Sequence, residues 1–350
     1  MKATVKKHVL NFKRPSGTSR GILTQKETWY LILMDDGNYG IGECGMFKGL
    51  SYDDVPGYEE KLIWVCHSLE NGKVDLWDEL KDFPSIQFGL EQALLSLKSY
   101  DPFVLFKSDF TEKNAPIPIN GLVWMGDKDY MLEQIQQKLE TGFNCIKLKI
   151  GAIDFKSELT LLEAIRMNFS AEEIELRVDA NGAFKPNEAL VKLKQLSTFD
   201  IHSIEQPIKK GNIKQMSKLC LDTPLSIALD EELIGITNVS KKEELLQSIS
   251  PQYIILKPTL VGGFKGSQEW INIADRLGIG WWITSALESN IGLNAIAQWT
   301  FTLENSMPQG LGTGALFTNN FESPLAVRKG YICHQNNQHW KTNLIEDLCI

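Results

Sequence analysis

The chain has 350 residues, of which 43% are hydrophobic and 23% charged, and its net charge is −8 because 44 acidic residues outnumber 36 basic ones. These values are typical of a folded globular protein and exclude a fibre, a disordered chain and a membrane-spanning protein. An acidic chain binds phosphate backbones poorly, so we do not expect nucleic acid as a partner. No apolar run is long enough to cross a bilayer, so we do not expect a membrane as a partner either. The first residues lack the apolar core and cleavage site of a secretory signal, which predicts a cytoplasmic location.

The first 115 residues or so predict a small α+β domain. Short apolar runs indicate three strands, and MDDGNYG between the second and third is typical of a hairpin turn. Two amphipathic patterns indicate helices. The predicted elements are strands around Val5, from Ile22 to Leu33 and from Tyr39 to Ile41, and helices from near Asp53 to Asn71 and from Ser85 to Ser99. Pro116 and Pro118, between polar residues, indicate a boundary near residue 115.

From about residue 117, an apolar run that ends in a polar residue, a loop and an amphipathic helix recur in turn. The predicted strand ends are Asn120, Lys149, Asp179, Glu205, Asp230, Lys257 and Ser285. From Lys149 to Ser285, successive ends differ by 30, 26, 25, 27 and 28 in residue number. This is close to one βα unit of about 30 residues.

The repeat predicts an α/β fold in which residues 116–320 form a (β/α)7β-type TIM barrel. Residues 1–115 are predicted to form an α+β capping domain, which residues from about 321 to 350 return to complete. An open, doubly wound sheet is the alternative. It is disfavoured because no glycine-rich phosphate turn follows the first strand.

Charged side chains at successive strand ends are the strongest functional signal. Because side chains alternate along a strand, Lys147 and Lys149 in CIKLKI point to one face and their apolar neighbours to the other. In a barrel the apolar face meets the helices, so we expect these lysines, Lys257 and the three acids at the inner rim, where barrel enzymes place catalytic groups. A lone lysine is most often solvated, but five consecutive charged strand ends disfavour that interpretation.

Three carboxylates that converge from adjacent strands repel one another unless a cation compensates them. A ligand set made of oxygen atoms, without histidine or cysteine, favours Mg²⁺. The alternative is a set of ion pairs with Lys147, Lys149 and Lys257, which is disfavoured because buried ion pairs recover their desolvation cost poorly. The residues therefore predict a magnesium site.

The two outer lysines, Lys149 and Lys257, are expected on opposite sides of that metal, each facing one side of a substrate. A lysine must lose its proton to act as a base, and burial beside Lys147 and a divalent cation is expected to lower its pKa toward neutrality. The metal would take up the charge of an enediolate. The predicted chemistry is proton abstraction from the carbon next to a carboxylate, and the expected partner is a small-molecule carboxylate.

Five short motifs cover the predicted barrel: KLK at 147–149, RVDANGAF at 177–184, IEQP at 204–207, ALDEEL at 228–233 and LKP at 256–258. In order and spacing they resemble the muconate-lactonizing subgroup of the enolase superfamily. By that resemblance the Mg²⁺ ligands are Asp179, Glu205 and Asp230, the acid/base pair is Lys149 and Lys257, and Lys147 and Asn181 support them.

Further segments narrow the resemblance: SALESNIGLNAIAQW at 285–299, GLGTGALFTNNFESPL at 310–325, and TSRG at 18–21 followed by Lys26. They are similar to the o-succinylbenzoate synthases of this subgroup. The resemblance implies Mg²⁺-dependent dehydration of 2-succinyl-6-hydroxy-2,4-cyclohexadiene-1-carboxylate to 2-succinylbenzoate in menaquinone biosynthesis. Ser285 and Gly312 are candidate substrate contacts or supporting residues.

Two other functions stay open at this point. One is an N-acylamino acid racemase or another epimerase, which would use the same two lysines; dipeptide epimerases of the subgroup carry Asp-x-Asp after the eighth strand, where GLGTG has no acid. The other is a non-catalytic ligand-binding barrel.

Solvent exposure is the favoured interpretation for Arg20 and Lys26, with a loop that closes over the barrel mouth as the alternative. The sequence does not determine the oligomeric state.

Overall fold

Three β-sheets and twelve α-helices make up the described part of the chain, residues 1–18 and 21–349 of a computed structural model. The strands are β1 Lys2–Thr18, β2 Gly21–Asp35, β3 Asn38–Cys44, β4 Ile117–Pro118, β5 Gly121–Val123, β6 Cys145–Lys149, β7 Glu175–Asp179, β8 Ser203–Glu205, β9 Ile227–Leu229, β10 Tyr253–Leu256, β11 Gly280–Ile283, β12 Leu325–Arg328 and β13 Tyr331–His334. The helices are α1 Tyr58–Glu70, α2 Pro84–Lys98, α3 Asp109–Lys113, α4 Lys128–Glu140, α5 Phe155–Asn168, α6 Pro186–Leu196, α7 Ile213–Asp222, α8 Val239–Ile249, α9 Pro258–Val261, α10 Gly263–Leu277, α11 Asn290–Thr302 and α12 Leu344–Cys349. Arg20 lies outside the described residues.

The first sheet is an antiparallel β1–β2–β3 meander with α1 and α2 packed on it. Its hairpin turns at Asp36 and Gly37, whose φ values of 47° and 81° suit a tight turn between twisted strands. The three predicted strands and helix α2 are confirmed. Helix α1 starts at Tyr58, later than predicted, because Pro56 disfavours helix before it and Gly57 adopts a left-handed φ of 89°.

The second sheet is parallel, with the strand order β11-β10-β9-β8-β7-β6-β5, and a helix follows each strand. Residues 309–310 bridge to both edges of this sheet. The amide of Gly310 donates to the carbonyl of Ile283 at 2.8 Å, and the amide of Asn120 donates to the carbonyl of Gln309 at 2.9 Å. The prediction that Asn120 ends the first strand is wrong: β5 begins at Gly121, because residue 120 is paired with the bridging segment instead.

Side chains along each strand of the parallel sheet point alternately outward, to the helices, and inward, to the interior of the curved sheet. Outward side chains such as Ile146 and Leu148 are fully buried against the helices. On the inner side, Trp282 packs among Ala228 and Ile255, and the guanidinium carbon of Arg177 lies 4.2 Å from the centre of its ring. Packed side chains therefore fill the interior below the strand ends, which leaves the carboxyl ends as the place for a site.

The C-terminal residues return to the first sheet. Strands β12, β13 and β4 form a small antiparallel sheet, and Leu344 and Ile345 of α12 pack with Tyr30 and Ile32 of β2. The division of the chain at about residue 115 stays a prediction. No helix among the described residues combines the length and the apolar character that a membrane span requires.

Candidate active site

The carboxyl ends of β6 to β10 bring the predicted charged residues to one rim. Lys149, Asp179 and Glu205 are directly paired neighbours across β6, β7 and β8. Asp230 and Lys257 follow the last residues of β9 and β10. Because parallel strands all end at the same edge, strand ends that are 25 to 30 residues apart in the sequence lie close together in space.

Lysine ammonium groups join the three carboxylates. Lys147 Nζ lies 2.5 Å from Glu205 Oε2 and 3.2 Å from Asp179 Oδ2. Lys149 Nζ donates to Asp179 Oδ2 at 2.8 Å. Lys257 Nζ donates to Asp230 Oδ2 and lies 3.7 Å from Glu205 Oε1. The structure thus brings together the two outer lysines, Lys147 and all three acids.

Burial and repulsion by a neighbouring carboxylate raise the pKa of Glu205, the central acid of the rim. Burial, and the neighbouring charge of Asp179, raise the pKa of Glu205 to about 7 although Lys147 opposes the shift. Asp179 is equally buried, which raises its pKa, but Lys149 and Lys147 outweigh burial and hold that pKa below its usual range. Glu205 therefore keeps a proton more readily than Asp179 at neutral pH.

The carboxylates hold Lys257 and Lys147 charged. Burial lowers the pKa of Lys257, but Asp230 and Glu205 outweigh it and the pKa is raised. The pKa of Lys147 is raised in the same way, against burial, by Glu205 and Asp179. Without a metal, Lys257 therefore does not have the lowered pKa expected for a base lysine, because it lies beside two carboxylates; the expectation for the metal-bound site stays a prediction.

The donor set has the chemistry of a cation site. Among the described residues, no three histidine, cysteine or acidic side chains are clustered at metal-ligand spacing; the three carboxylates are instead linked through lysines, as the ion-pair alternative describes. One buried carboxylate oxygen, Glu205 Oε1, has no hydrogen-bond partner among the described residues. A set of carboxylate oxygens, one of which accepts no hydrogen bond, fits a hard cation such as Mg²⁺.

Polar residues beside the rim hold the charged groups in place. Asn181 has a left-handed φ of 43°; its Oδ1 accepts from Lys149 Nζ at 2.8 Å and its Nδ2 donates to Glu231 at 3.0 Å. Gln206 was missed by the sequence analysis: its Oε1 accepts from the backbone amide of Asp230 at 3.2 Å. The IEQP motif contained this residue, but a glutamine after a strand carries no charge signal that would single it out.

A cavity opens above the rim and is lined from both sheets. Phe47 and Leu50, from the loop after β3, form part of its wall, as do the predicted Ser285 and Gly312. Thr284 Oγ1 is a buried hydroxyl at this cavity with no hydrogen-bond partner among the described residues. The remaining lining residues are Asn120, Leu122, Trp124, Lys147, Lys149, Asp179, Asn181, Lys257, Ala286, Leu287, Gly310 and Thr313.

The sequence indicated that Lys26 is exposed, but this prediction is wrong. Lys26 lies on β2 and is only 6% exposed. The error arose because a lone basic residue gives no sign of a buried partner elsewhere in the chain. Burial lowers the pKa of Lys26, while Glu43 and Glu288 act in the opposite direction. The charges of two acids that the sequence analysis did not single out thus act on this lysine.

A parallel β/α sheet with paired lysines and three acids at its strand ends, covered by an antiparallel sheet, is typical of the enolase superfamily. Residues 130–336 match the enolase C-terminal domain-like family. The sequence is 47% identical to the o-succinylbenzoate synthase of Desulfotalea psychrophila, over 95% of this chain and 98% of that protein.

Solved structures agree. The crystal structure of MenC from Desulfotalea psychrophila has a TM-score of 0.86 and 44% identity, covering 95% of this chain and 99% of that one. A dipeptide epimerase from Enterococcus faecalis, complexed with Mg and the dipeptide L-Leu-L-Tyr, shares the fold with a TM-score of 0.80 at 18% identity, over 97% of each chain. This chain belongs to the enolase superfamily and, within it, to the o-succinylbenzoate synthase family. It is an enzyme, a carbon–oxygen lyase of that family.

Proposed function

We propose that this enzyme dehydrates 2-succinyl-6-hydroxy-2,4-cyclohexadiene-1-carboxylate to 2-succinylbenzoate. The observation that carries the proposal is that Lys149 and Lys257 line one cavity together with Asp179, Lys149 paired with Asp179 and Lys257 paired with Asp230. A substrate carboxylate beside Asp179 would present its neighbouring carbon to the lysines. The wall formed by Phe47, Leu50 and Trp124 is apolar and suits the carbon ring.

Lys149 is the proposed base and acid. Its neutral amine removes the proton from the carbon next to the carboxylate, and the resulting ammonium returns a proton to the departing hydroxide, which leaves as water. Asn181 and Asp179 fix the amine through contacts of 2.8 Å each. Lys257, held by Asp230, remains an ammonium and stabilises negative charge on the opposite side.

Asp179, Glu205 and Asp230 are the proposed holders of Mg²⁺. When bound, the ion would supply positive charge for the developing enediolate and would offset the negative charge of the three carboxylates. Lys147 pairs with Glu205 and Asp179 and fixes their orientation. We further propose that residues 309–310 close the parallel sheet into a (β/α)7β barrel, capped by residues 1–115 and 321–350.

Magnesium binding should depend on pH through Glu205. Because its pKa is raised to about 7, the carboxyl is protonated below that pH and must release its proton to bind a cation. The affinity for Mg²⁺ is expected to fall about tenfold for each pH unit below about 7, with one proton released, and to level off above pH 8. Calorimetric titration in buffers of different ionisation enthalpy measures both quantities. An affinity that does not change between pH 5.5 and 8 would contradict the assignment.

Gly312 offers a test of where the succinyl tail lies. A Cβ at this position would meet its nearest neighbour, Ile119 Cδ1, at 3.4 Å, an ordinary contact, and its φ is not left-handed. Gly312→Asp should lower kcat/KM about fivefold or more relative to Gly312→Asn, because only Asp adds a charge that repels the dianionic substrate. Steady-state kinetics of the two variants give the comparison. Equal values for Asp and Asn would show that the tail does not face this loop.

Assaying both activities in one preparation distinguishes dehydration from racemisation. Dehydration needs proton transfer by Lys149 alone, whereas racemisation needs both lysines to exchange a proton with one carbon. Incubation with N-succinyl amino acids in D₂O should therefore give little racemisation, while slow deuteration of one enantiomer remains compatible with the proposal. Racemisation as efficient as ring dehydration would identify a promiscuous enzyme instead.

A further inference from the structure

The buried side chain of Lys26 has no role in the chemistry described above. Its Nζ has no hydrogen-bond partner among the described residues. A Cβ built on Gly45 would lie 3.2 Å from that nitrogen and 3.7 Å from Glu288 Cγ, so lysine and acid approach the same point. Glu43, on β3, is the second acid whose charge acts on Lys26. We call Lys26, Glu43 and Glu288 the buried charge cluster.

Glu43 joins the antiparallel sheet to helix α11. Its carboxylate accepts from the backbone amides of Ser289 and Gly292 at 2.9 Å each and from the hydroxyl of Ser289 at 2.5 Å. These are amides of the first turn of α11, where a negative charge is favoured by the helix dipole. The contact crosses between two parts of the chain that are 246 residues apart.

Glu288 joins two strand ends of the active site. One oxygen accepts from Thr259, two residues after Lys257, and the other accepts from Ser285 at 2.6 Å. The hydroxyl of Ser285 in turn accepts from Thr313 at 2.8 Å. Ser285 and Thr313 both line the cavity. Glu288 therefore holds the side chain of Thr259, near Lys257, and the hydroxyl of Ser285, and through Ser285 it holds the hydroxyl of Thr313 at the cavity.

We propose that Lys26 is a positioning residue for the reaction, which deepens the proposed function and rests on it. Its ammonium compensates Glu43 and Glu288, so that the antiparallel sheet holds the ends of β10 and β11 in their working geometry. Without it two buried carboxylates face each other without a cation, which favours displacement of the loops that carry Thr259 and Ser285. Small displacements of catalytic groups reduce turnover sharply.

A set of four variants tests this role: Lys26→Met, Glu288→Gln, the double variant Lys26→Met/Glu288→Gln, and Lys48→Met as control. Lys48 is an exposed lysine that, like Lys26, lines a second cavity between β2 and the loop after β3. Glutamine suits position 288 because both partners there are hydroxyls, which can donate or accept. The measurements are the thermal midpoint, and kcat and KM for the ring substrate at saturating Mg²⁺.

We expect Lys26→Met to lower kcat about tenfold, with a change in KM of less than about threefold, and to lower the thermal midpoint. The double variant removes one of the two carboxylates and should recover most of both losses, which is a non-additive coupling between the two sites. Lys48→Met should behave as the wild type. If Lys26→Met alone does not fold, a folded double variant supports the proposal and an unfolded one overturns it.

Two results would overturn the inference: a kcat for Lys26→Met equal to that of the wild type, or a double variant no better than Lys26→Met. An inactive wild type would instead refute the proposed function. The thermal midpoints of the wild type, the two single variants and the double variant would still show whether Lys26 and Glu288 are coupled. Failure of this inference can therefore be distinguished from failure of the proposed function.

Discussion

Lys149→Arg should reduce kcat about 10³-fold, the size of effect typical of losing a general acid–base. The guanidinium can keep the positive charge and a contact with Asp179, but it does not give up a proton near neutral pH. Binding of Mg²⁺ should persist, because no carboxylate has been removed. Single-turnover kinetics with the ring substrate, together with a magnesium titration, measure both effects.

Lys257→Arg is the matched control for that variant. Lys257 also contacts a carboxylate of the rim, Asp230, and is proposed to act as a fixed cation that an arginine can replace. We expect it to lose only about tenfold in kcat, equivalent to about 1.4 kcal/mol of transition-state stabilisation. If Lys257→Arg were as inactive as Lys149→Arg, the division of labour between the two lysines would be wrong.

Glu205→Gln should abolish the magnesium-dependent activity while preserving the fold. The substitution keeps the shape of the side chain but removes its charge, and the affinity for Mg²⁺ is expected to fall about 100-fold. Because the raised pKa shows that burial and Asp179 disfavour the charged Glu205 in the folded state, the thermal midpoint without metal at pH 8 should be unchanged or higher. Calorimetry and thermal unfolding by circular dichroism measure these quantities.

Glu269→Gln provides the control for Glu205→Gln. Glu269 pairs with the buried Lys242 at 2.8 Å, away from the rim, so its loss should leave the affinity for Mg²⁺ as in the wild type. An unchanged affinity in Glu205→Gln would remove this residue from the proposed ligands. Asp179→Ala and Asp230→Ala test the other two ligands in the same titration.

The parallel fold and the rim were predictable because their signals are local and repeat along the chain. A polar residue at the end of each apolar run, at nearly constant intervals, places Asp179, Glu205 and Lys257 on one edge once the sheet is parallel. Alternation along β6 then predicts which lysines face inward. The resemblance to the family supplied the roles of these residues, which spacing alone does not give.

The remaining features depend on contacts between distant parts of the chain. Lys26 was expected at the surface because nothing near it in sequence reveals Glu288, which lies 262 positions further on. The raised pKa of Lys257 depends on how closely Asp230 and Glu205 approach it, which a strand pattern does not fix. Asn120 was wrongly predicted to end the first strand, which begins at Gly121, because residues 309–310, to which Asn120 is hydrogen-bonded, carry no strand pattern of their own.

Turnover of 2-succinyl-6-hydroxy-2,4-cyclohexadiene-1-carboxylate, followed by the appearance of 2-succinylbenzoate, tests the central claim most directly. The protein is measured with Mg²⁺, after treatment with a chelator, and after Mg²⁺ is restored, with circular dichroism as the check on folding. We predict product formation with the metal, loss of at least about 100-fold in kcat without it, and recovery on its return. Folded protein that forms no 2-succinylbenzoate with Mg²⁺, or that forms it equally well after chelation, would contradict the account.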